Sequence, residues 1–330
     1  MRSLVLAAAA IGLIVVVGAG CGGTSEASGG GGKLTLAAYS TPREVYAELT
    51  NGFEKTPEGK GVSFDESYGS SGEQSRAVES GLPADVVAFS LAPDVDRLVE
   101  AGIVDEGWDK DAYNGMVTSS VVVFAVRKNN PEHIETWDDL VRTGIEVIEP
   151  NPFTSGGARW NVMAAYGAQR KQGKTHEQAV AYLRELFRHV SVQDKSARES
   201  LQTFTGGKGD VLLAYENEAL LAKSKGEDLD YVVPEQTILI ENPVAVTKDA
   251  PASAGRFLAY IRSEKAQRVF GKAGYRPVNG AVADEFQFPM PADLFTIADV
   301  GGWDQVQKRF FDREDGIMAD IQRDVGAALE

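Results

Sequence analysis

The sequence contains a single cysteine, Cys21, and only three histidines, His133, His176 and His189. One cysteine cannot form an internal disulfide. The histidines stand in no spacing typical of a zinc site, so no metal site is expected. No histidine is placed to activate a serine in a nucleophile motif, and "GGKGD" lacks the Ser or Thr that completes a phosphate-binding loop. The sequence therefore argues against metalloenzymes, serine hydrolases and phosphate-loop proteins, and no cofactor is expected.

Positive charge is also scarce. The chain has 33 Lys and Arg against 48 Asp and Glu, a net charge of −15 and a pI near 4.8. This imbalance argues against nucleic acid and anionic lipid as partners. It does not exclude a small anion, because a buried site depends on its own dipoles more than on distant, salt-screened charges. With 330 residues, 43% of them hydrophobic, the chain is long enough for two globular domains.

A long apolar run occurs at the amino terminus, where "LVLAAAAIGLIVVVG" follows Arg2. This run and the small residues of "GAGC" are typical of a secretory signal, and the pattern resembles a bacterial lipoprotein signal that is cleaved before Cys21. The following "GGTSEASGGGG" predicts a flexible tether. We therefore expect a signal peptide at 1–20, a tether at 21–32, lipid on Cys21 and attachment outside the cytoplasmic membrane. A plain secretory signal or an amino-terminal membrane helix is the alternative.

Beyond the tether, strand-like and helix-like segments alternate. Strands are predicted at 33–39, 61–68 and 84–90, and a helix with a recognisable start or stop residue follows each of them. This order predicts an open α/β sheet. Longer strands are predicted at 119–127 and 238–246, and no Pro/Gly/Ser-rich linker divides the folded part into consecutive domains. We interpret the two long strands as crossings between two lobes.

Four predicted helix starts are rich in hydroxyl side chains or glycine: "STPRE", "GSSGEQ", "TSGGARW" and "KSARES". Each turn alone is explained by ordinary N-capping, which Ser and Thr commonly provide. One cap needs only one hydroxyl, however, and the turn at 154–157 has two hydroxyls and two glycines. Helix N-termini expose free N–H groups with partial positive charge, and they converge at one edge of an open α/β sheet. The four turns therefore predict a shared anion site.

The stretch "NPFTSGGARWN" closely resembles the "NPKTSGGARWN" signature of bacterial sulfate-binding proteins. Three further stretches are similar to this family's patterns in the same order: "SYGSSGEQSRAV" to "SHGGSGKQARAV", "ADVVAFSLAPDVD" to "ADVVTLALAYDID", and "GDVLLAYENEA" to "GDVLIAWENEA". The resemblance extends over residues 34–278. It implies a two-lobed α/β fold of the periplasmic-binding-protein type (type II), with dehydrated sulfate in the cleft between the lobes.

The resemblance also implies which residues hold the anion, mainly through backbone N–H groups at helix starts. Transferred position by position, they are Ser40, Ser71, Ser155, Gly156, Gly157, Ala197 and Tyr215. Two of these depart from the family pattern. Ser40 replaces an Asp that contributes mainly its main-chain amide, and Tyr215 replaces a Trp. A phenol can both donate and accept a hydrogen bond, so thiosulfate, molybdate and tungstate remain alternative ligands.

By the same resemblance, the protein is expected to be a monomeric receptor that delivers sulfate to the membrane permease of an ABC-type importer. It is not expected to be an enzyme. A secreted ester hydrolase with Ser71 or Ser155 as nucleophile is the alternative from another class, although the sequence places no base beside either serine. We expect lobe 1 at 33–120 and 245–330, and lobe 2 at 121–244. The tail at 281–330 extends past the resemblance and is predicted to pack a helix on lobe 1.

Overall fold

A computed structural model describes residues 32–329. The predicted signal peptide, Cys21 and all of the tether except Gly32 lie outside these residues. Within 32–329, no helix has the length and apolar character needed to cross a membrane. The same residues contain no cluster of three or more His, Cys, Asp or Glu side chains that could hold a metal ion.

Strands and helices alternate along the described chain, which confirms the predicted α/β class. The strands are β1 Lys33–Tyr39, β2 Ser63–Gly69, β3 Val86–Ala88, β4 Met116–Arg127, β5 Val147–Ile148, β6 Val190–Val192, β7 Val211–Tyr215, β8 Leu229–Val232, β9 Gln236–Val246, β10 Arg276–Pro277 and β11 Asp293–Phe295. The α-helices are α1 Arg43–Glu54, α2 Ser71–Glu79, α3 Ala92–Glu100, α4 Gly156–Lys171, α5 His176–His189, α6 Ala197–Thr205, α7 Glu216–Ser224, α8 Ala252–Ile261, α9 Glu264–Lys272, α10 Gly280–Ala283, α11 Gly302–Phe310 and α12 Ile317–Val325. Short 3-10 helices occupy Trp137–Val141 and Ile297–Val300.

Helix α5 shows how the sequence specifies a helix and its packing. Thr175 and Gln178 form a capping box, in which each side chain accepts a hydrogen bond from the other residue's backbone N–H, at 3.3 and 2.8 Å. Leu183, Leu186 and Phe187 recur at helical spacing and are buried in one hydrophobic core. The amphipathic helix predicted here, with Thr175 as its cap, is confirmed.

Two groups of parallel strands set the position of the site. In the first group, β1 lies between β2 and β3, with Leu36 opposite both Glu66 and Val86. In the second group, β5 lies between β6 and β7, with Val147 opposite Val190. Parallel strands end at the same edge, so the helices that follow them begin close together. Helices α1 and α2 follow strands of the first group, and α4, α6 and α7 follow strands of the second.

The long antiparallel strands β4 and β9 join the two groups. Strand β9 pairs with β3 at Val244–Val246 and with β4 at Leu239–Pro243. Strand β4 then continues into the second group, where Val122 lies opposite Tyr215 of β7. The segments predicted as crossings at 119–127 and 238–246 are therefore parts of β4 and β9.

The carboxyl-terminal tail packs against the second group, so the prediction that its helix packs on lobe 1 is wrong. Trp303 of α11 meets Trp160 of α4 edge to face, with ring centroids 4.7 Å apart, and Phe310 meets Tyr166 at 4.8 Å. Met318 of α12 is buried in the same core. Helix α4 is buried along nearly its whole length and needs apolar cover on the side away from the sheet. The tail provides that cover, a pairing that its own amphipathic pattern does not specify.

Candidate functional site

All seven predicted site residues line one cavity where the two groups of strands meet. The cavity is small, with a volume of about 10 Å³. Its lining consists of Ser40, Ser71, Ser155, Gly156, Gly157, Ala197 and Tyr215, together with Tyr39, Thr41, Gly69, Ser70, Ser90 and Ser196. Every lining residue is uncharged, and most of them carry a hydroxyl group. The cavity therefore presents hydrogen-bond donors without a counter-ion.

Several helices begin at this cavity. Helix α2 begins at Ser71, α4 at Gly156 and α6 at Ala197, while α7 begins directly after Tyr215. Amides in the first turn of a helix have no carbonyl partner within that helix. For Ser71, Gly156 and Ala197 no other backbone partner occurs within residues 32–329. Each helix start carries about half a unit of positive charge, so their convergence favours an anion.

The turn before α4 is held in place by Asn151. Its carbonyl accepts hydrogen bonds from the amides of Thr154 and Ser155, at 3.2 and 2.8 Å, and its Oδ1 accepts from the Phe153 amide at 2.8 Å. Ser155 Oγ accepts from the Ala158 amide at 3.3 Å, which is an ordinary N-cap. A hydroxyl that accepts this bond keeps its own proton for another acceptor. Capping and anion binding are therefore compatible at Ser155.

The hydroxyl of Ser71 is already engaged within the protein. Ser71 Oγ donates to Asp94 Oδ2 at 2.5 Å and accepts from the Ser90 amide at 2.9 Å. Only the backbone N–H of Ser71 is left to face a ligand. Ser70 differs, because it lines the cavity, is 4% exposed, and its Oγ has no hydrogen-bond partner among the described residues. A buried hydroxyl without a partner is unfavourable, which makes Ser70 the stronger candidate for a hydroxyl contact.

Tyr215 and Ser90 form a pair of hydroxyls. Tyr215 Oη and Ser90 Oγ are 2.6 Å apart, and because they share one hydrogen bond, one of their two protons remains for another acceptor. Burial raises the pKa of Tyr215 well above its ordinary value, so the phenol stays a neutral donor at neutral pH. The Ser90 carbonyl accepts from Trp160 Nε1 at 2.8 Å and from Asn242 Nδ2 at 3.1 Å. Trp160 therefore helps to position this pair.

The two glycines of the turn have different functions. A Cβ at Gly156 would lie 2.4 Å from Leu91 Cδ2 and 2.8 Å from the Cβ and Oγ of Ser90. These distances are too short, so only glycine permits the approach of α4 to the segment after β3. A Cβ at Gly157 would lie 3.4–3.6 Å from three cavity-lining side chains, which is ordinary contact. A side chain at Gly157 would therefore occupy the binding space without displacing the backbone.

Charged groups surround the cavity but are paired outside it. Thr41 Oγ1 donates to Glu218 Oε1 at 3.2 Å. Arg198 donates to both carboxylate oxygens of Glu44, at 2.7 and 2.8 Å, and to the Thr41 carbonyl at 2.7 Å. Burial raises the pKa of Glu218 to about 7, although Arg198 and the Thr41 hydrogen bond act in the opposite direction. This network fixes the Thr41 segment and leaves neutral donors facing the cavity.

Six of the lining residues are absent from the set transferred by resemblance: Tyr39, Thr41, Gly69, Ser70, Ser90 and Ser196. Thr41, Gly69, Ser70 and Ser196 lie in the helix starts predicted to share an anion site, whereas Tyr39 and Ser90 lie outside them. The resemblance does not transfer Ser70 because the family pattern has glycine at its position. Ser196 Oγ accepts from the Glu199 amide at 3.2 Å, so it has the capping function that any helix start provides. Ser90 lies just past the end of β3, and the rule that ligands bind at the carboxyl ends of strands could have identified it.

Comparisons with known proteins identify the family of the chain. A family model described as bacterial extracellular solute-binding protein matches residues 34–276. The chain belongs to this family. This solute-binding protein is 39% identical to a sulfate-binding protein of Synechococcus elongatus, over 94% of the chain and 93% of that protein. It is 39% identical to a sulfate-binding protein of Escherichia coli (84% and 90% covered) and 32% identical to a thiosulfate-binding protein of Pseudomonas aeruginosa (90% and 94%).

Solved structures confirm the fold class. The sulfate-binding protein SubI of Mycobacterium tuberculosis is 44% identical and superposes with a TM-score of 0.82, over 85% of this chain and 99% of that one. The periplasmic binding protein AfuA of Actinobacillus pleuropneumoniae has a TM-score of 0.68 at 17% identity, over 90% and 99% of the two chains. At that identity AfuA shows a shared fold alone. The predicted two-lobed, type II fold and the resemblance to sulfate-binding proteins are thus confirmed.

Proposed function

We propose that this protein is an extracytoplasmic sulfate receptor, which binds the anion and delivers it to the permease of an ABC-type importer without any catalytic activity. The observation that carries the proposal is a cavity lined only by uncharged residues, at which several helices begin. Relatives covering most of the chain are named sulfate-binding proteins. We assign sulfate contacts to the amides of Ser40, Ser71, Gly156, Gly157 and Ala197, to the hydroxyls of Ser155 and Tyr215 and, beyond these seven, to the hydroxyl of Ser70.

Neutral donors are sufficient for this function in energetic terms. A hydrogen bond to a charged partner contributes about 1.5–3 kcal/mol. Seven such bonds give about 10–20 kcal/mol, against about 8 kcal/mol for micromolar affinity. The remainder offsets the lost freedom of the ligand and the closure of the protein around it.

The same donors explain a preference for sulfate over phosphate. Sulfate is fully ionised at neutral pH and only accepts hydrogen bonds, whereas phosphate keeps a proton that needs an acceptor. The two carboxylates next to the lining, Asp94 and Glu218, already accept from Ser71 and Thr41. A phosphate O–H finds no carboxylate in the lining and no acceptor among the amide N–H groups, which makes its burial less favourable than that of sulfate.

We propose that closure brings together two lobes, one formed by 33–120 with 245–283 and the other by 121–244 with 293–330. The second lobe includes the tail because α11 and α12 share its core. We further propose that the protein acts as a monomer, tethered outside the cytoplasmic membrane through lipid on Cys21. Metabolic labelling with a fatty acid, compared between wild type and Cys21→Ser, tests the anchor independently of ligand binding.

Calorimetric titration of the mature protein with sulfate, thiosulfate, molybdate, tungstate and phosphate tests the function. We expect sulfate to bind and to raise the melting temperature, and phosphate at the same concentration to do neither. Equal responses to sulfate and phosphate would contradict the selectivity argument. Thiosulfate is the principal competitor, since a thiosulfate-binding protein is among the relatives. Tighter binding of thiosulfate, molybdate or tungstate than of sulfate would reassign the ligand.

A further inference from the structure

A second, larger cleft is unusually basic for so acidic a chain. It has a volume of about 1230 Å³ and is lined by residues of α2, α3, α4 and α11 and by nearby loops. We name it the basic cleft after its six cationic residues, Arg76, Arg97, Arg159, Lys195, Lys308 and Arg313. Three carboxylates also line it, Glu73, Asp312 and Glu314. The cleft thus has three more positive than negative side chains, in a protein of net charge −15.

These cations have few partners. Of the six, only Arg97 forms an ion pair with a carboxylate of residues 32–329, and its Nη1 is 3.7 Å from Glu79 Oε2. Arg97 Nε is buried without a hydrogen-bond partner in the described part of the chain. Asp312 faces its own turn, where Oδ1 accepts from the amides of Glu314 and Asp315 at 2.8 and 2.9 Å. The cleft therefore keeps a net positive charge, although Asp94 and Glu73 lie near Arg76 and partly offset it.

Arg159 is the buried member of the group. It is 9% exposed, its Nε donates to the Pro152 carbonyl at 2.9 Å, and its Nη1 donates to Gln307 Oε1 at 3.0 Å. A guanidinium has five N–H donors, so others remain without a partner among the described residues. Burial lowers the pKa of Arg159 to about 10, and the neighbouring arginines of the cleft act in the same direction, opposed by Asp94. Arg159 forms no ion pair within the described chain, and an anion in the cleft would supply one to its remaining N–H groups.

We propose that the basic cleft binds a small, soluble anion with several phosphate or carboxylate groups. Arginine recognises both groups through paired N–H donors. The volume of the cleft is far greater than that of the first cavity, so the cleft suits a larger anion than sulfate. A concave site with a buried arginine is also better suited to a small molecule than to the flat surface of another protein.

The basic cleft includes residues of both proposed lobes, since α2 and α3 belong to one and α4 and α11 to the other. An anion that bridges them favours the closed arrangement. If the proposed sulfate site is correct, sulfate and the second anion therefore raise each other's affinity by the same factor. This linkage rests on the proposed function, whereas binding in the basic cleft does not.

Calorimetric titration of the mature protein with tripolyphosphate, and separately with citrate, tests the proposal. We expect one equivalent of at least one of them to bind. Arg76→Gln and Arg313→Gln should each weaken that binding about tenfold or more. Arg188→Gln is the matched control, because it removes the same charge from the exposed surface of α5, where Arg188 pairs with Glu185 at 2.8 Å. Sulfate binding should persist in all three variants, which separates this proposal from the first.

Three results would overturn the proposal. The first is that neither anion binds, including the case in which an acidic peptide binds instead. The second is an equal loss of affinity in Arg188→Gln and in the two cleft variants. The third is competitive displacement of the bound anion by sulfate, which would place it in the first cavity.

Discussion

Alanine substitutions of the two adjacent serines at the start of α2 should have different effects. Ser70→Ala should weaken sulfate binding, whereas Ser71→Ala should destabilise the fold. Ser70 Oγ is buried at the cavity without a partner among the described residues. Ser70→Ala should therefore remove a hydrogen bond to the anion and nothing from the fold. One such bond contributes about 1.5–3 kcal/mol, which corresponds to sulfate binding weakened about 10- to 150-fold. Stability should stay the same or rise slightly, because an unpaired buried hydroxyl is removed.

Ser71→Ala should instead destabilise the fold. Its hydroxyl is bonded to Asp94 Oδ2 at 2.5 Å and to the Ser90 amide at 2.9 Å, and Asp94 and Ser90 are 2% and 1% exposed. Leaving buried groups unpaired costs about 1–3 kcal/mol of stability. The backbone N–H of residue 71 is retained, so sulfate affinity should fall less than about tenfold.

Urea unfolding and calorimetric titration with sulfate, applied to both variants, separate these effects. Ser120→Ala is a suitable control for Ser70→Ala, because Ser120 Oγ is also buried without a partner in the described chain but does not line the cavity. It should bind sulfate as wild type does. The reasoning is refuted if Ser70→Ala binds sulfate normally, or if Ser71→Ala loses binding while its stability is unchanged.

Three further substitutions test other parts of the site. Gly156→Ala should weaken sulfate binding about tenfold or more, since its Cβ would meet Leu91 Cδ2 at 2.4 Å and displace the start of α4; wild-type affinity by calorimetry would contradict this. Tyr215→Phe should have a similar effect because it removes one donor of the hydroxyl pair, and Tyr260→Phe, outside the cavity, should not. Burial raises the pKa of Glu218 from 4.5 to about 7. The protonated Glu218 carboxyl group therefore stabilises the fold fully below pH 4.5, and this stabilisation is lost as the pH rises through about 7. That contribution is about 3 kcal/mol. Glu218→Gln should therefore lose less stability than wild type in urea unfolding between about pH 5 and about pH 8, and an identical loss would disprove the assignment.

The turn at 154–157 was predictable because its chemistry is local. A double-hydroxyl, double-glycine helix start exposes amides wherever it is placed, and the structure puts Ser155, Gly156 and Gly157 at the cavity. The α/β order and the two long strands were predictable for the same reason, since hydrophobic periodicity and turn residues are short-range signals. Resemblance then identified Ala197 and Tyr215, for which spacing alone gave little signal.

The use of each hydroxyl was not predictable, because it depends on partners that are distant in sequence. Asp94, which engages Ser71, lies 23 residues further along the chain, and Ser90, which pairs with Tyr215, lies 125 residues earlier. The tail presents the same difficulty. Its amphipathic helices required an apolar partner, but the surface of α4 that they cover is defined only once α4 has packed on the sheet.

Arg159 illustrates why charge and anion recognition are separated in this protein. It follows the Gly156–Gly157 pair by two residues, yet it is bonded to Pro152 and Gln307 and lines the basic cleft instead of the first cavity. A point charge inside the first cavity would attract any oxyanion, including singly protonated phosphate, and would weaken discrimination by hydrogen-bond pattern. With uncharged donors the same contacts provide both affinity and selectivity, because a backbone amide N–H can only donate and therefore requires an acceptor atom on the ligand. Cationic side chains can then serve a different anion at the basic cleft, where a larger ligand requires charge and not a defined pattern of donors.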